Sequence, residues 1–220
     1  MRLLLIRHGQ TIDNANGALG TVVPGPGLTE LGRTQAAAIP AALVAESIDA
    51  IAMSTMRRTH ETAAPLVEAL GLAPIEFDGL REITAGDIEG RSDSEAIRLY
   101  LGTLFGWWTD FSARIPGGED GHEFHARYDG AIRELAAAHP EGTVAVFSHG
   151  AAIRTWASWS SGNIDAEFSR THGLENTGIV ILEGSPEAGW EAVSWQNAPL
   201  GGSALEDGGA PDPTGEATLA

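Results

Sequence analysis

The sequence predicts an α/β fold of three layers: a mostly parallel, doubly wound sheet with helices on both faces. Three observations lead there. Short apolar runs alternate along the chain with longer segments of helical period, the pattern of strands joined by crossover helices. Several of those runs are apolar throughout rather than every second residue, as in strands buried on both faces. The chain has 220 residues, 43% apolar and 20% charged, enough to bury a core without disulfides or metals.

Arg2 to Arg7 reads as the first strand, closed by His8 and Gly9. Residues 14–27 form a loop punctuated by Pro24-Gly25-Pro26-Gly27. Thr29 is suited to cap a helix over 30–46 that puts Ala36, Ile39 and Leu43 on one face, with Pro40 bending or splitting it. A second strand, Asp49 to Ser54, leads into a helix over 57–70 that stops at Gly71, and Ile75 to Phe77 is a third strand. Residues 78–91 read as an ordered but irregular loop. Ser92 and Glu95 match a capping box. Ile97, Leu101, Leu104, Trp108 and Phe111 then follow at helical spacing, so 92–116 is expected to be a helical lid, with one of the adjacent Trp107 and Trp108 facing outward over the site. Phe124, Tyr128, Ile132 and Leu135 mark a helix ending before Pro140. Thr143 to Ser148 is a strand, 151–160 a helix, and 177–183 and 190–196 two last strands. Residues 1–198 are expected to form a single catalytic domain. The Gly-, Pro- and acid-rich stretch 199–220 is expected to be a flexible tail.

Composition removes whole classes of chemistry. There is no Cys, and all 13 basic residues are Arg. Thiolate nucleophiles, Schiff bases and a Walker A lysine are therefore excluded. The formal net charge of −17 opposes nucleic acid, and no basic stripe offsets it. No apolar run reaches the ~18 residues of a membrane span, and the short N-terminal apolar run lacks a signal peptide's cleavage pattern. A soluble cytoplasmic protein is expected. Any anionic substrate must find a local cluster of Arg that overcomes the global field.

Open parallel sheets bind ligands beyond the carboxyl ends of their strands, and two predicted strands end there in a histidine: Arg7-His8-Gly9 and Ser148-His149-Gly150. An imidazole near neutral pH can act as nucleophile or base, and an Arg fork suits a phosphoryl or carboxylate oxygen pair. Val146 sits where a nucleophile elbow needs Gly, so Ser148 is not read as an esterase serine. Ser54-Thr55-Met56-Arg57-Arg58-Thr59-His60-Glu61-Thr62-Ala63 spans a strand–helix join, a ready anion site. Leu80-Arg81-Glu82 supplies an acid able to protonate a leaving oxygen. His122 and His125, three apart beside Glu123, do not have the H-E-x-x-H spacing of a zinc site. His172 lies in a loop before Asn176-Thr177 from which it could reach the pocket mouth.

In this order the motifs resemble the histidine phosphatase superfamily, also called phosphoglycerate mutase-like, over roughly residues 1–183. Gln10-Thr11 and Asn14, Leu28-Thr29 with Gly32-Arg33 and Gln35-Ala36, and Gly117-Gly118-Glu119 resemble it too. The resemblance implies a phosphoglycerate mutase-like fold and a phosphohistidine mechanism. In it His8 is the nucleophile, Arg7, Arg58 and His149 hold the phosphoryl oxygens, and Glu82 is the general acid. Gly9, Gln10, Thr11, Asn14 and Gly150 line or support the substrate pocket. The Thr62-Ala63 register selects Arg58; a slip of one would give Arg57 that role. A cationic pocket would keep His8 neutral, and Arg and His would supply the charge a metal supplies elsewhere, so no metal or cofactor is expected. The expected activity is hydrolysis of a small organic phosphate ester. Mutases of the family carry Arg, Lys and Tyr after the loop acid, where this chain has Ile88, Glu89, Asp93 and Glu95, with Arg91, Arg98 and Arg114 isolated. A cofactor-dependent mutase is the second reading. A non-catalytic phospholigand-binding domain is the third, and the presence of His8, Arg58, Glu82 and His149 speaks against it.

Overall fold

A computed structural model describes residues 1–215. Six strands form one sheet in the order β3-β2-β4-β1-β5-β6: β1 (Arg2–Arg7), β2 (Ala50–Ser54), β3 (Ile75–Phe77), β4 (Thr143–Ser148), β5 (Ile179–Ser185) and β6 (Gly189–Gln196). The first four are parallel, and β5 and β6 add an antiparallel edge. β1 sits at the centre because it is apolar between its two arginines. Leu3 and Leu5 enter the core on one face, Leu4 and Ile6 the core on the other. Strands with this pattern need cover on both sides. On one face it comes from α2 (Glu30–Ala42) and α3 (Arg57–Leu70), through Ile39, Ala63 and Leu66. On the other it comes from α4 (Ser94–Gly106), α5 (Gly121–Ala138) and α6 (Gly150–Ser160), through Tyr100, Leu104, Phe124, Tyr128 and Trp156. Short helices α1 (Ile12–Ala15) and α7 (Ala166–Thr171) lie in the connections. No helix among the described residues is long and apolar enough to cross a membrane.

Register places the functional ends. Arg7 pairs with Ser148, and Met53 with Phe147. The carboxyl ends of β1, β4 and β2 are therefore level, and His8, His149 and Ser54 meet along one edge.

Several sequence expectations are corrected. α2 stops at Ala42 rather than 46, two residues past Pro40, which cannot donate to the helix ladder. The Ser92/Glu95 capping box does not form. Asp93 is the cap, accepting from the Ala96 amide at 3.2 Å while Arg91 holds its carboxylate. α4 ends at Gly106, so the apolar spacing through Phe111 does not continue as helix. Trp107 lies fully buried on Phe124 and Trp159, and its indole donates to the Ala113 carbonyl. The flexible-tail expectation does not describe residues 199–215: Leu200 joins the α2-side core, and Asp212 and Thr214 are buried. Their composition is that of a solvated tail, but their partners lie some two hundred residues away, where local reading cannot see them. Residues 216–220 of that expected tail lie outside the described residues.

Candidate active site

The pocket at the level strand ends is lined by His8, Thr11, Asp13, Asn14, Ala18, Gly20, Thr21, Arg58, Glu82 and Thr214. His8 follows β1 directly and is 2% exposed. Its Nδ1 lies 2.8 Å from the Gly9 carbonyl. A carbonyl only accepts, so the ring proton is assigned to Nδ1 and Nε2 is left with a lone pair. Burial, with Arg58 and Arg7 nearby, holds His8 well below its ordinary pKa. The ring is thus neutral, in a pocket it shares with the Arg58 cation.

His149 ends β4 in the same way, its ring centroid 5.2 Å from that of His8. Arg58 Nε donates to His149 Nδ1 at 3.1 Å, and His149 Nε2 donates to Ser54 Oγ at 2.8 Å. Both nitrogens are thereby engaged, and burial and Arg58 hold this ring neutral too. His149 orients Arg58 and does not line the pocket, contrary to its expected place on the phosphoryl oxygens.

Arg58 stands on the first turn of α3, and Thr62 sets that register. The Thr62 hydroxyl donates to the Arg58 carbonyl at 2.6 Å and accepts the Gly9 amide at 2.9 Å. Arg57 instead points outward and pairs with Glu61 at 2.6 Å, which removes it as the alternative. Burial lowers Arg58 to about 10, so it is cationic at neutral pH. Glu82 sits at the amino end of α6, accepting from the Ile83, Ala151 and Ala152 amides at 2.9, 3.2 and 2.9 Å. Burial nevertheless outweighs these donors and Arg58, and the Glu82 pKa is raised. A carboxyl so placed holds its proton to higher pH than a free one and can act as a proton donor.

The remaining predicted residues divide. Thr11 caps α1 and Asn14 closes that cap, and both face the pocket. Gly9 is a packing glycine: a Cβ there would lie 2.7 Å from the Gly32 carbonyl. Gln10 turns away, accepting from Thr29 at 2.8 Å and donating to Asp207 at 2.7 Å. Arg7 is fully buried but does not line the pocket. Its guanidinium is bound to the Asp212 carboxylate, the Leu174 carbonyl and the Thr214 hydroxyl. A Cβ on Gly150 would meet the Thr214 carbonyl at 2.6 Å, so this glycine makes room for the C-terminal segment. His172 stacks on Phe168 away from the site, and His122 and His125 lie against Phe111 in an aromatic cluster.

Several residues here escaped sequence reading. Asp13 lines the pocket beside Arg58. Asn176 donates to the His8 carbonyl at 3.1 Å. Arg127 binds Glu119 and donates to the Gly79, Arg81 and Glu82 carbonyls at 2.8 to 3.0 Å, fixing the loop that carries the acid. Only the Gly117-Gly118-Glu119 motif hinted at that support. Beside the site, Leu101, Leu104 and Phe105 of α4, with Trp108 just beyond its end, face Ala151, Arg154 and Thr155 of α6 across a small apolar groove.

A family model described as the histidine phosphatase superfamily (branch 1) matches residues 3–198. A Mycobacterium tuberculosis H37Rv protein, PE-PGRS family protein PE_PGRS11, is 38% identical over 216 residues; the match covers 91% of this chain and 37% of that protein. The chain thus corresponds to little over a third of that relative's length. A glucosyl-3-phosphoglycerate phosphatase from M. tuberculosis (strain CDC 1551) is 30% identical, over 89% of this chain and 92% of its own. The solved structure of a mycobacterial glucosyl-3-phosphoglycerate phosphatase in complex with VO3 superposes with a TM-score of 0.75, at 30% identity, covering 90% of this chain and 99% of that one.

Proposed function

Because the chain belongs to the histidine phosphatase superfamily, we propose that it is a metal-independent phosphomonoester phosphatase working through phosphohistidine on a small organic phosphate. The observation that carries this reading is the state of His8: neutral, with Nδ1–H tied to Gly9 and Nε2 unprotonated beside Arg58 and Glu82.

In the first half-reaction His8 Nε2 attacks phosphorus and the P–O bond to the leaving group breaks. Glu82, its pKa raised by burial, gives its proton to the departing oxygen. In the second, the Glu82 carboxylate takes a proton from water, whose oxygen attacks phosphorus. The P–N bond breaks, and orthophosphate and neutral His8 are released. Arg58 offsets charge on the transferring group from a fixed position, held by His149 and by the Gly20 carbonyl at 3.1 Å. Arg7, when not bound to Asp212, adds a second fork. The groove between α4 and α6 would take the apolar part of the leaving group.

Hydrolysis is favoured over phosphate shuttling by what lies beyond the loop acid. Arg91 is occupied by Asp93 and Glu95, and Arg98 bonds the Ser94 carbonyl on the exposed side of α4. Neither faces the pocket to hold a second anionic group.

The test is release of phosphate from para-nitrophenyl phosphate by wild type and His8→Ala, with and without EDTA. Activity that survives EDTA and is lost in His8→Ala supports the reading. A wild type inert on every monoester yet active on 3-phosphoglycerate with its bisphosphate cofactor would replace it with the mutase.

A further inference from the structure

Residues 212–215 of the C-terminal segment pack into the site. After Leu200 enters the α2-side core, the chain is fastened by Gln35, which donates to the Leu205 carbonyl at 2.8 Å, and by Gln10, which donates to Asp207 at 2.7 Å. Beyond that point Pro213 is buried, and the polar interactions converge on the pocket. The Asp212 carboxylate binds Arg7 and accepts from Asn14 Nδ2 at 3.3 Å and Thr214 Oγ1 at 3.1 Å. Thr214 accepts from Arg7 on its hydroxyl at 3.0 Å and from Arg154 on its carbonyl at 3.3 Å, and it forms part of the pocket wall. Thr214 shares the pocket wall with His8, Arg58 and Glu82, so this segment stands where a bound phosphoryl group would make its contacts.

We propose that residues 207–215 are an autoinhibitory strap. In it the Asp212 carboxylate takes the anion position on Arg7 and Asn14, and a substrate phosphate enters by displacing it. The inference rests on reading the pocket as a phosphoryl site, and three observations carry it. First, the group on the Arg7 fork is an anion from the chain itself, in a protein whose other acids mostly face solvent. Second, the strap's large apolar anchor lies upstream at Leu200, while 207–215 buries one apolar side chain, Pro213, and otherwise holds on by hydrogen bonds and one ion pair. Its backbone tie to the site wall is the Leu174 amide on the Gly215 carbonyl, at 2.7 Å. Third, a phosphate ester outmatches what it displaces, bringing up to two charges and three oxygens against one charge and two oxygens. A tethered group acts at an effective concentration of order millimolar, so ligands that bind the open site more tightly than that displace it.

If the strap is closed about nine-tenths of the time, apparent affinities for phosphate ligands are weakened about tenfold. Two variants relieve it while keeping the upstream anchors: Asp212→Asn, and a chain ending at Gly209. For each, KM for para-nitrophenyl phosphate and Ki for orthophosphate should fall about tenfold with kcat little changed, the signature of a purely competitive internal ligand. Unchanged constants, a raised KM or a lost kcat would overturn the proposal, because the segment would then be inert or would complete the site. A second measurement needs no turnover. Amide hydrogen exchange of residues 207–215 and of Leu174 in the full chain should speed up on adding orthophosphate. Exchange that is unchanged or slowed overturns the strap even if the variants fold poorly. A strap released by orthophosphate in a protein that hydrolyses no ester would instead overturn the phosphatase reading alone.

Discussion

His8 and Glu82 were given opposite protonation tasks by the same burial. Lowering one pKa and raising the other draws together the pH ranges in which the imidazole is free and the carboxyl carries its proton. With para-nitrophenyl phosphate the leaving phenolate departs without help, whereas an alkyl alkoxide needs the proton. Glu82→Gln should therefore cost about 10²- to 10⁴-fold in kcat on alkyl phosphates and far less on the nitrophenyl ester. In wild type, kcat/KM for an alkyl phosphate should fall below the His8 pKa, as the ring protonates, and again above the Glu82 pKa, as the acid is lost. A pH profile of Glu82→Gln that keeps its alkaline fall would reject Glu82 as the acid. His8→Ala should leave no measurable burst of phosphoenzyme in rapid-quench experiments with ³²P-labelled ester, and a retained burst would assign the nucleophile elsewhere.

At the level of elements, α3 is positioned by one hydroxyl. Thr62→Val keeps the shape but leaves the buried Gly9 amide without an acceptor, a loss of about 1–3 kcal/mol in urea unfolding, and it should lower kcat by loosening His8. Stability and rate unchanged in that variant would show that the bond does not hold the site. The strands, α3 and the α5 face were legible because their apolar periods are clean and Gly71 and Pro140 end them. His8, Arg58 and Glu82 were legible because each lies at the join of a strand or loop with a recognisable motif. The start of α4 was missed because three candidate caps, Ser92, Asp93 and Ser94, stand in a row. What chose among them was Arg91, which orients the Asp93 carboxylate. The roles of Arg7 and Gln10 were missed for a different reason: both are set by residues 207–214, and a Gly-Pro-acid composition carries no sign of where it docks.

For the whole molecule, the charge of −17 and a pocket built on a few arginines act in opposite directions on an incoming dianion. Outside the pocket the field repels, and salt screens it within about 8 Å at physiological ionic strength. Raising salt from very low to physiological levels should therefore raise kcat/KM for a dianionic ester, by about two- to threefold, where a cationic protein would show a fall. A fall would mean that the arginines govern approach as well as binding. Stability rests on the double-sided core: Leu5→Ala, fully buried in the central strand, should cost about 2–5 kcal/mol. The pairing that sets Arg7 opposite Ser148 joins segments far apart in the chain, which form late in folding. A slip of two residues between β1 and β4 would keep every side chain on its proper face yet slide the two imidazoles about 7 Å apart along the strands. Such a species would look native to circular dichroism and would be inactive. Recovery of turnover during refolding thus times the closing of one strand pair, and the enzyme serves as its own gauge of sheet alignment.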